Sequence, residues 1–457
     1  MVLRAVTAAA LAAVVLAGVA VAQISHVQER ELGKRFDMMA AERMPIERDP
    51  EFVSYVAEIG QEIVKRLDSS MFDYRFAVVR DPSINAFAVP GGYVYVNVGL
   101  INHARNDDEV AAVLGHEVAH VHAHHMARQQ EKSQLINYAS LLAMLGAFVQ
   151  PGFAAAAAAA GQAVQLKYRR EFEQEADYLG VRYLQGTRFD PRAMLDFFKK
   201  LEDETRATPS MLPPYLRSHP MTEERLNHLE AALRTKQWGD HDRRPASPRL
   251  QRLQALARAR SNRPPEVLEQ YAKLRAEHPD NPGADYLYGV VALEIGRLDE
   301  AQDALAIARR GGVPGTDREL GRLALRRRQP EVAVGLLRAH LAVESADGMA
   351  WVELARALDA IKDVTGAREA YEHAWRAVPD LDAAHDGYGL LAGRAGEHGV
   401  GFYHLGVAAR LRGEYEKALD QIGRALPLLA GDSERTAGAE RELADLRFYL
   451  EIDEPDD

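Results

Sequence analysis

Residues 116–120 of this sequence, His-Glu-Val-Ala-His, have the types and spacing for metal chemistry. They lie in a stretch, 107–130, whose apolar residues recur at helical spacing, and Asp107 and Asp108 at its start suit a helix N-terminus. Two His residues four apart share one helix face. Both rings can therefore converge on one zinc ion, with Glu117 reaching the ion's open side. A catalytic zinc takes three protein ligands and keeps one position for water, so a third ligand must come from elsewhere. The 457 residues include no cysteine, which leaves His and carboxylates to hold the ion, one per chain.

The stretch 168–177, Tyr-Arg-Arg-Glu-Phe-Glu-Gln-Glu-Ala-Asp, offers that ligand. Glu173 and Asp177 stand four apart on a predicted helix, so one can bind metal while the other holds the free ring nitrogen of a ligand His. Glu171 and Glu175 read as a solvated acidic face. His124 continues the His116–His120 stripe by one more turn, but a carboxylate from a second helix converges from a better direction. His103 reads as a surface residue.

These side chains need elements to position them. Residues 29–68 carry apolar residues at helical spacing (Leu32, Phe36, Met39, then Phe52, Tyr55, Val56, Ile59, Ile63) and predict two helices. The period then changes. Residues 74–79 and 93–98 are β-branched and aromatic and flank Asp81-Pro82 and Pro90-Gly91-Gly92, which predicts two or three antiparallel strands. Helices are predicted again at 167–184, 191–203 and 222–233. Between them, residues 135–149 are almost wholly apolar and 153–164 mostly alanine, with Gln150-Pro151-Gly152 as the break. Each arm is shorter than a spanning helix, so the pair reads as a buried hairpin, or else as a lid or a peripheral membrane contact.

At this length, two globular units plus a leader are the natural expectation. The net charge of -11 sets nucleic acid aside as the main partner, since phosphate binding needs a concentrated basic surface. Arg4 precedes an uncharged run from Ala5 to Ala22 that ends in Ala20-Val21-Ala22, the pattern of a secretory signal cleaved near Ala22. Residues 236–248 are rich in charge, Pro and Gly and read as a linker. Beyond it, small residues recur in register. Gly289, Ala301 and Ala308 are followed by Gly321 and Ala333, then Ala355, Ala367, Ala374 and Pro379, then Gly406, Ala418 and Ala425. The last step is 51 residues instead of 34, which predicts an extra helix inserted around 386–396. This pattern resembles the tetratricopeptide repeat, whose stacked helix pairs form a concave surface for protein or peptide ligands.

The His-Glu-Val-Ala-His pentad with Glu-x-x-Ala-Asp downstream resembles the zinc metallopeptidase family that includes the CAAX prenyl protease and the HtpX heat-shock protease. Asn85 to Gly92 followed by Tyr93-Val94-Tyr95-Val96 looks like that family's strand pair ahead of the zinc helix. Ser218-His219-Pro220 with Glu224-Arg225 looks like its closing motif, and His125 matches a His that recurs after the zinc motif. Arg169 departs from the Ser common in the family.

The resemblance implies that His116, His120 and Glu173 bind zinc, that Glu117 is the general base, and that Asp177 orients a ligand His. It implies a substrate strand added along Asn85, Ala86, Phe87 and Ala88. His219 is a candidate latch on the open metal position, or a His merely fixed in a loop by Pro220. Arg225 could stabilise a developing oxyanion, or merely pair with the neighbours of Glu224.

The expected architecture is mainly α: an α+β zincin-like (gluzincin) metalloprotease domain with a small β-sheet, then an α-solenoid of tetratricopeptide repeats. The expected boundaries are a signal peptide at 1–22, a protease domain at 23–235, the linker at 236–248, repeats at 249–450 and an acidic tail at 451–457. A signal peptide with such repeats is similar to the periplasmic branch of the family that works in outer-membrane β-barrel assembly. That likeness implies unfolded polypeptides and β-barrel precursors as substrates, and their assembly machinery as a partner of the repeats. The rival expectation is a chaperone or adaptor with a latched zinc site.

Overall fold

The computed structural model describes residues 25–132, 170–207, 212–234, 244–261, 263–379 and 381–451. The expected signal peptide, the apolar pair at 135–164, most of the expected linker and nearly all of the acidic tail lie outside the described residues.

The chain opens with α1 (His26–Arg43), started by a capping box in which Ser25 and Gln28 each bond the other's backbone N–H. After the two-residue strand β1 (Ile46–Glu47), Asp49 caps α2 (Pro50–Val64), whose Phe52, Tyr55, Val56, Ile59 and Ile63 are all buried on one stripe. Three strands follow: β2 (Arg75–Val79), β3 (Ala86–Val89) and β4 (Tyr93–Asn97).

The sheet order is β1-β2-β4-β3, and it corrects the expectation of antiparallel strands. The two apolar runs, β2 and β4, pair in parallel, with Arg75 opposite Tyr93 and Val79 opposite Asn97. β3 lies between them in sequence. It runs out to the sheet's edge, turns through Gly91 (φ 82°) and Gly92 (φ 101°), and returns as β4, antiparallel to β3 and now at the centre. Every residue of β4 is accordingly buried. Phe36 and Ala40 of α1, with Met44 just after it, cover one face against Val79, Val89, Tyr93 and Tyr95.

After α3 (Val98–His103), Asn106 caps α4 (Asp107–His122), the helix that carries the pentad. Residues 108–121 are buried all round, so α4 is a central rod and not an amphipathic surface helix. The helix predicted to continue to 130 instead breaks at Ala123 and His124, where His124 has φ 51°, before α5 (His125–Lys132). Next come α6 (Arg170–Leu184), α7 (Ala193–Ala207), the short α8 (Pro214–Ser218) and α9 (Glu223–Arg234).

Where the expected linker re-enters the described residues it is tied down. Ser247 donates to Asp107 through both its N–H and its hydroxyl (2.8 Å each) while capping α10 (Pro248–Ala259). Gln254 bonds the carbonyls of Ile101 and Ala104 at the end of α3. One apolar cluster runs from Phe52 through α4 and α7 to Leu323, so the first repeats share a core with the sheet-containing part.

The repeat helices are α11 (Pro264–Glu277), α12 (Pro282–Glu294), α13 (Leu298–Arg310), α14 (Thr316–Arg326), α15 (Pro330–Leu341), α16 (Gly348–Ala360), α17 (Val364–Ala377), α18 (Asp382–Arg394), α19 (His398–Leu411), α20 (Tyr415–Ala425) and α21 (Ser433–Glu451). The small residues of the sequence pattern sit where paired helices touch. A Cβ on Gly289 would meet Leu305, one on Gly321 would meet Leu337, and one on Gly406 would meet Ile422, each sixteen positions on.

Gly389 meets Leu405 in the same way, so α18 keeps the repeat phase, and the extra helix expected in this step is the half repeat that follows it. The 34-residue step from Ala355 leads to Gly389, and the 12 and 7 spacings continue to Gly401 and Ala408. Helix α19 thus closes one pair with α18 and opens the next with α20. The last step of 51 is one full repeat plus half of another.

A buried charge network also joins the two parts. Arg252 of α10 pairs with Glu51 of α2 and with Glu319 of α14 (2.5 Å), and Arg318 bridges Glu51 (2.6 Å) and Glu353 (3.3 Å). Burial alone would raise the pKa of the Glu319 carboxyl, but Arg252, Arg322 and Arg318 outweigh it and hold it at about 2. With a folded value below its ordinary 4.5, Glu319 stabilises the fold fully above about pH 4.5, and this contribution disappears as pH falls through about 2. Glu319→Gln should therefore cost about 3 kcal/mol at pH 7, since it leaves buried guanidinium groups short of charge. Denaturant unfolding at pH 7, 4 and 3 should show the gap between the two proteins narrowing with acid.

Candidate metal centre

Helices α4 and α6 cross where neither carries a side chain. A Cβ on Gly180 would lie 3.1 Å from the carbonyl carbon of Gly115 and from His116 N, and one on Gly115 would lie 3.4 Å from Gly180 O. This approach sets Glu173 and Asp177, two turns and one turn before Gly180, against the His residues of α4.

His116 Nε2 and His120 Nε2 are 3.0 Å apart, and Glu173 presents one carboxylate oxygen to each, at 3.5 and 3.4 Å. His219, just after α8, completes the group, with its Nδ1 3.1 Å from Glu173 and 3.3 Å from His116. Each of the four offers a ligand atom within 4.8 Å of the others, and all four residues are buried. Glu117 is 1% exposed, and its Oε1 is 3.4 Å from His219 Nε2 but makes no hydrogen bond among the described residues. Three imidazole nitrogens, one carboxylate and an adjacent buried carboxyl with one oxygen free of hydrogen bonds suit a zinc ion.

Asp177 lies on the far side of His116, with Oδ1 2.9 Å from Nδ1. A proton on Nδ1, facing the Asp177 carboxylate, would leave Nε2 as a lone pair for metal. Arg225 in turn holds Asp177 with two parallel bonds (2.9 and 2.8 Å) and gives its remaining nitrogen to Glu173 (3.0 Å) and the Pro220 carbonyl (2.8 Å). All three guanidinium nitrogens are therefore engaged and Arg225 is 1% exposed. Its place differs from the oxyanion-stabilising one expected: it positions two acids and has no nitrogen left to face a substrate.

The charges around the cluster follow from this packing. Burial opposes charge on His116, yet Asp177 and Glu173 carry its pKa up to about 9. Burial pushes the pKa of His120 well below the usual range, with Glu173 opposing. Against burial, His219, Arg225 and His120 hold Glu173 ionised well below the ordinary carboxylate range. Glu117 goes the other way: burial raises its pKa, against the lowering effect of His219 and His116.

Sequence alone gives His125 no role and does not single out Tyr215. His125 is fully buried, its Nδ1 2.9 Å from His120 Nδ1 and its Nε2 3.2 Å from Glu175, which Arg128 also holds. With His120 Nε2 turned to the metal position, a relay follows: His120 Nδ1–H donates to His125, and His125 Nε2–H donates to Glu175. Burial lowers the pKa of His125 to about 4, which keeps the ring neutral, as this relay requires. Glu175 is thus a partner to the site and not merely a solvated charge. Tyr215 of α8 packs its ring 4.8 Å from that of His219, and its buried hydroxyl has no hydrogen-bond partner among the described residues. Neither residue carries a spacing signal, because both reach the site through contacts that begin on other elements.

His124, set aside as a ligand although it continues the stripe, points elsewhere because the helix has ended, and its Nδ1 lies 3.1 Å from both oxygens of Glu29. The candidate edge, Asn85 to Ala88, does lie on the outer strand. Asn97 N–H donates to Asn85 O (3.0 Å), so residues 85, 87 and 89 bond inward to β4 and the backbone groups of Ala86 and Ala88 face outward. The Ala88 backbone is a hydrogen-bond partner of Glu117.

Replacing Asp177 by Asn removes the charge that fixes the His116 tautomer. Competition with a chromophoric chelator should show zinc affinity falling by about 10- to 100-fold.

Residues 52–233 match the model of Peptidase family M48. The chain is 30% identical over 296 residues to the beta-barrel assembly-enhancing protease of Yersinia pestis, covering 62% of this chain and 60% of that protein. It is 29% identical over 299 residues to that of Escherichia coli strain K12, with 62% and 59% covered. The mitochondrial metalloendopeptidase OMA1 of Arabidopsis thaliana is 36% identical over 155 residues, 34% of this chain and 30% of that one. This chain spans about three fifths of the length of the two assembly-enhancing relatives. Among solved structures, MamA from Desulfovibrio magneticus RS-1 aligns with a TM-score of 0.32 and 21% identity over 36% of this chain and 94% of that one.

Proposed function

We propose that this chain, whose residues 52–233 form a Peptidase family M48 domain, is a zinc-dependent endopeptidase held closed by His219. The observation that carries this reading is the convergence of His116, His120, Glu173 and His219 beside Glu117.

In this reading His116, His120 and Glu173 hold the ion, and His219 fills the place that water and substrate need. When bound, zinc supplies a Lewis acid for the scissile carbonyl and lowers the pKa of water. Glu117 accepts the proton of the attacking water on its carboxylate and passes it to the leaving nitrogen. A buried carboxyl with a raised pKa suits both halves of that task. Asp177 and Arg225 keep His116 and Glu173 in place, and His125 with Glu175 does the same for His120.

Substrate adds as a strand along Asn85 to Ala88, bonding the outward groups of Ala86 and Ala88 beside Glu117. Main-chain recognition gives affinity with little sequence preference and requires an extended chain, so the substrates are unfolded or stalled polypeptides. The names of the relatives suggest β-barrel precursors as clients, and export behind a leader removed near Ala22 would put the chain in the periplasm, where outer-membrane β-barrel precursors pass. The repeats would hold the client or its assembly machinery, and residues 135–164 would supply any membrane contact. His219 in the fourth place equally favours a second reading, in which the chain works as a chaperone or adaptor and the zinc site stays shut.

His219→Ala separates the two readings. As an endopeptidase, the variant should degrade an unfolded model protein faster than wild type, and adding Glu117→Gln or a chelator should lower the rate by about 100-fold or more. If His219→Ala binds zinc and holds client but cleaves nothing, the adaptor reading stands.

Ala86→Pro tests the edge. Its outward N–H makes no ladder bond, so the melting temperature should hold while kcat/KM of the His219→Ala background falls by about 3- to 10-fold.

A further inference from the structure

We propose that His26, Glu29 and His124 form a second divalent-metal site, selective for zinc or a similar transition ion, that pins α1 to the turn ending α4. Each of the three offers a ligand atom within 4.8 Å of the others, and none belongs to the His116 cluster.

The sequence brings two of the donors together locally. His26 and Glu29 stand three apart in the first turn of α1 and share one face. The third donor arrives through an unusual backbone. His124 adopts φ 51°, one of three non-glycine residues with positive φ among the described residues, and this conformation ends α4 and turns the ring towards α1. A side chain held in a sparsely populated backbone region needs surroundings that fix it there, and such strain gathers at binding sites. Its backbone is bonded on both sides, with His124 N–H donating to Val121 O (3.0 Å) and Arg128 N–H donating to His124 O (2.9 Å), while the ring is held by the ion pair with Glu29 and by ring contacts.

The polar atoms at this point are incompletely satisfied by protein alone. Glu29 is 3% exposed, and both its carboxylate oxygens lie 3.1 Å from the same atom, His124 Nδ1. One N–H cannot bond both oxygens well, whereas a cation beside them can engage either or both. His26 Nδ1 is buried with no hydrogen-bond partner among the described residues, and its ring centroid is 4.8 Å from that of His124. Phe72 packs edge-on against both rings (6.3 and 5.4 Å), which walls the group on one side with apolar surface.

Two imidazoles and one carboxylate match zinc, whereas magnesium and calcium prefer all-oxygen sites. Three protein donors also leave a position for water. Such an ion would staple the start of α1 to the residue four beyond His120. Because α1 covers the sheet through Phe36 and Ala40, the staple would fix the layer that backs the edge strand.

The full chain, freed of any affinity tag and equilibrated with micromolar zinc, should carry two zinc ions by native mass spectrometry and elemental analysis. His26→Ala removes one donor and leaves the Glu29–His124 pair intact, so it should carry one. His120→Ala should also carry one, and the double variant none. With chelator present, wild type and His26→Ala should melt together. Zinc should raise the melting temperature of wild type more than that of His26→Ala. A single zinc in wild type, or two in His26→Ala with the catalytic ligands intact, would overturn the proposal.

Discussion

Gly115 and Gly180 face each other where α4 crosses α6, and a Cβ on Gly180 would lie 3.1 Å from the backbone of Gly115 and His116. The metal centre depends on that spacing. A side chain at position 180 would push the ligand helix from the zinc helix by a few tenths of an ångström, whereas a Cβ at position 115 would just touch Gly180 O (3.4 Å). The distances at stake, 2.9 Å from Asp177 to His116 and 3.4 to 3.5 Å from Glu173 to the two His residues, tolerate little of that. The helical rods are stiff, so a separation at the glycines would carry up to the carboxylates one and two turns away.

Close packing also decides the electrostatics. Glu173 and Asp177 are carboxylates taken out of water, which would be costly alone. Arg225 bonds both, and each then fixes one or more His residues, so burial and ionisation coexist. Glu117 sits in the same dry site without a guanidinium partner, and its pKa rises instead of falling. Two glutamates within one cluster thus acquire opposite tendencies, one to stay ionised as a ligand and one to exchange a proton.

The repeats extend this logic outward. They are not hung from a loose tether, since the apolar core of the sheet-containing part runs into the first repeat helices. Glu51, Arg252, Arg318, Glu319 and Glu353 then lock α2 to α10, α14 and α16. A buried network of this kind adds less net stability than its charges suggest, but it accepts only one arrangement of the helices that carry them. Helix α2 thus packs on the zinc helix and is paired to the repeat helices as well.

What the sequence determined by itself was whatever depends on local periodicity. His116 and His120 converge because a helix brings residues four apart to one face. The same rule makes Glu173 and Asp177 partners, and it places Gly289, Gly321 and Gly406 at equivalent helix contacts. Gly389, Gly401 and Ala408 obeyed that rule too, and were legible as a repeat once the 34-residue step was carried forward from Ala355. Contacts between distant segments left no such trace. Parallel pairing of β2 with β4 arose because β3 was carried to the edge and β4 folded back between. The place of His125 depended on the break at His124, and Arg225 turned to acids 48 or more residues away instead of to a substrate. Tertiary structure alone decided these, because which buried charge meets which is settled by what the packed core leaves as its neighbour.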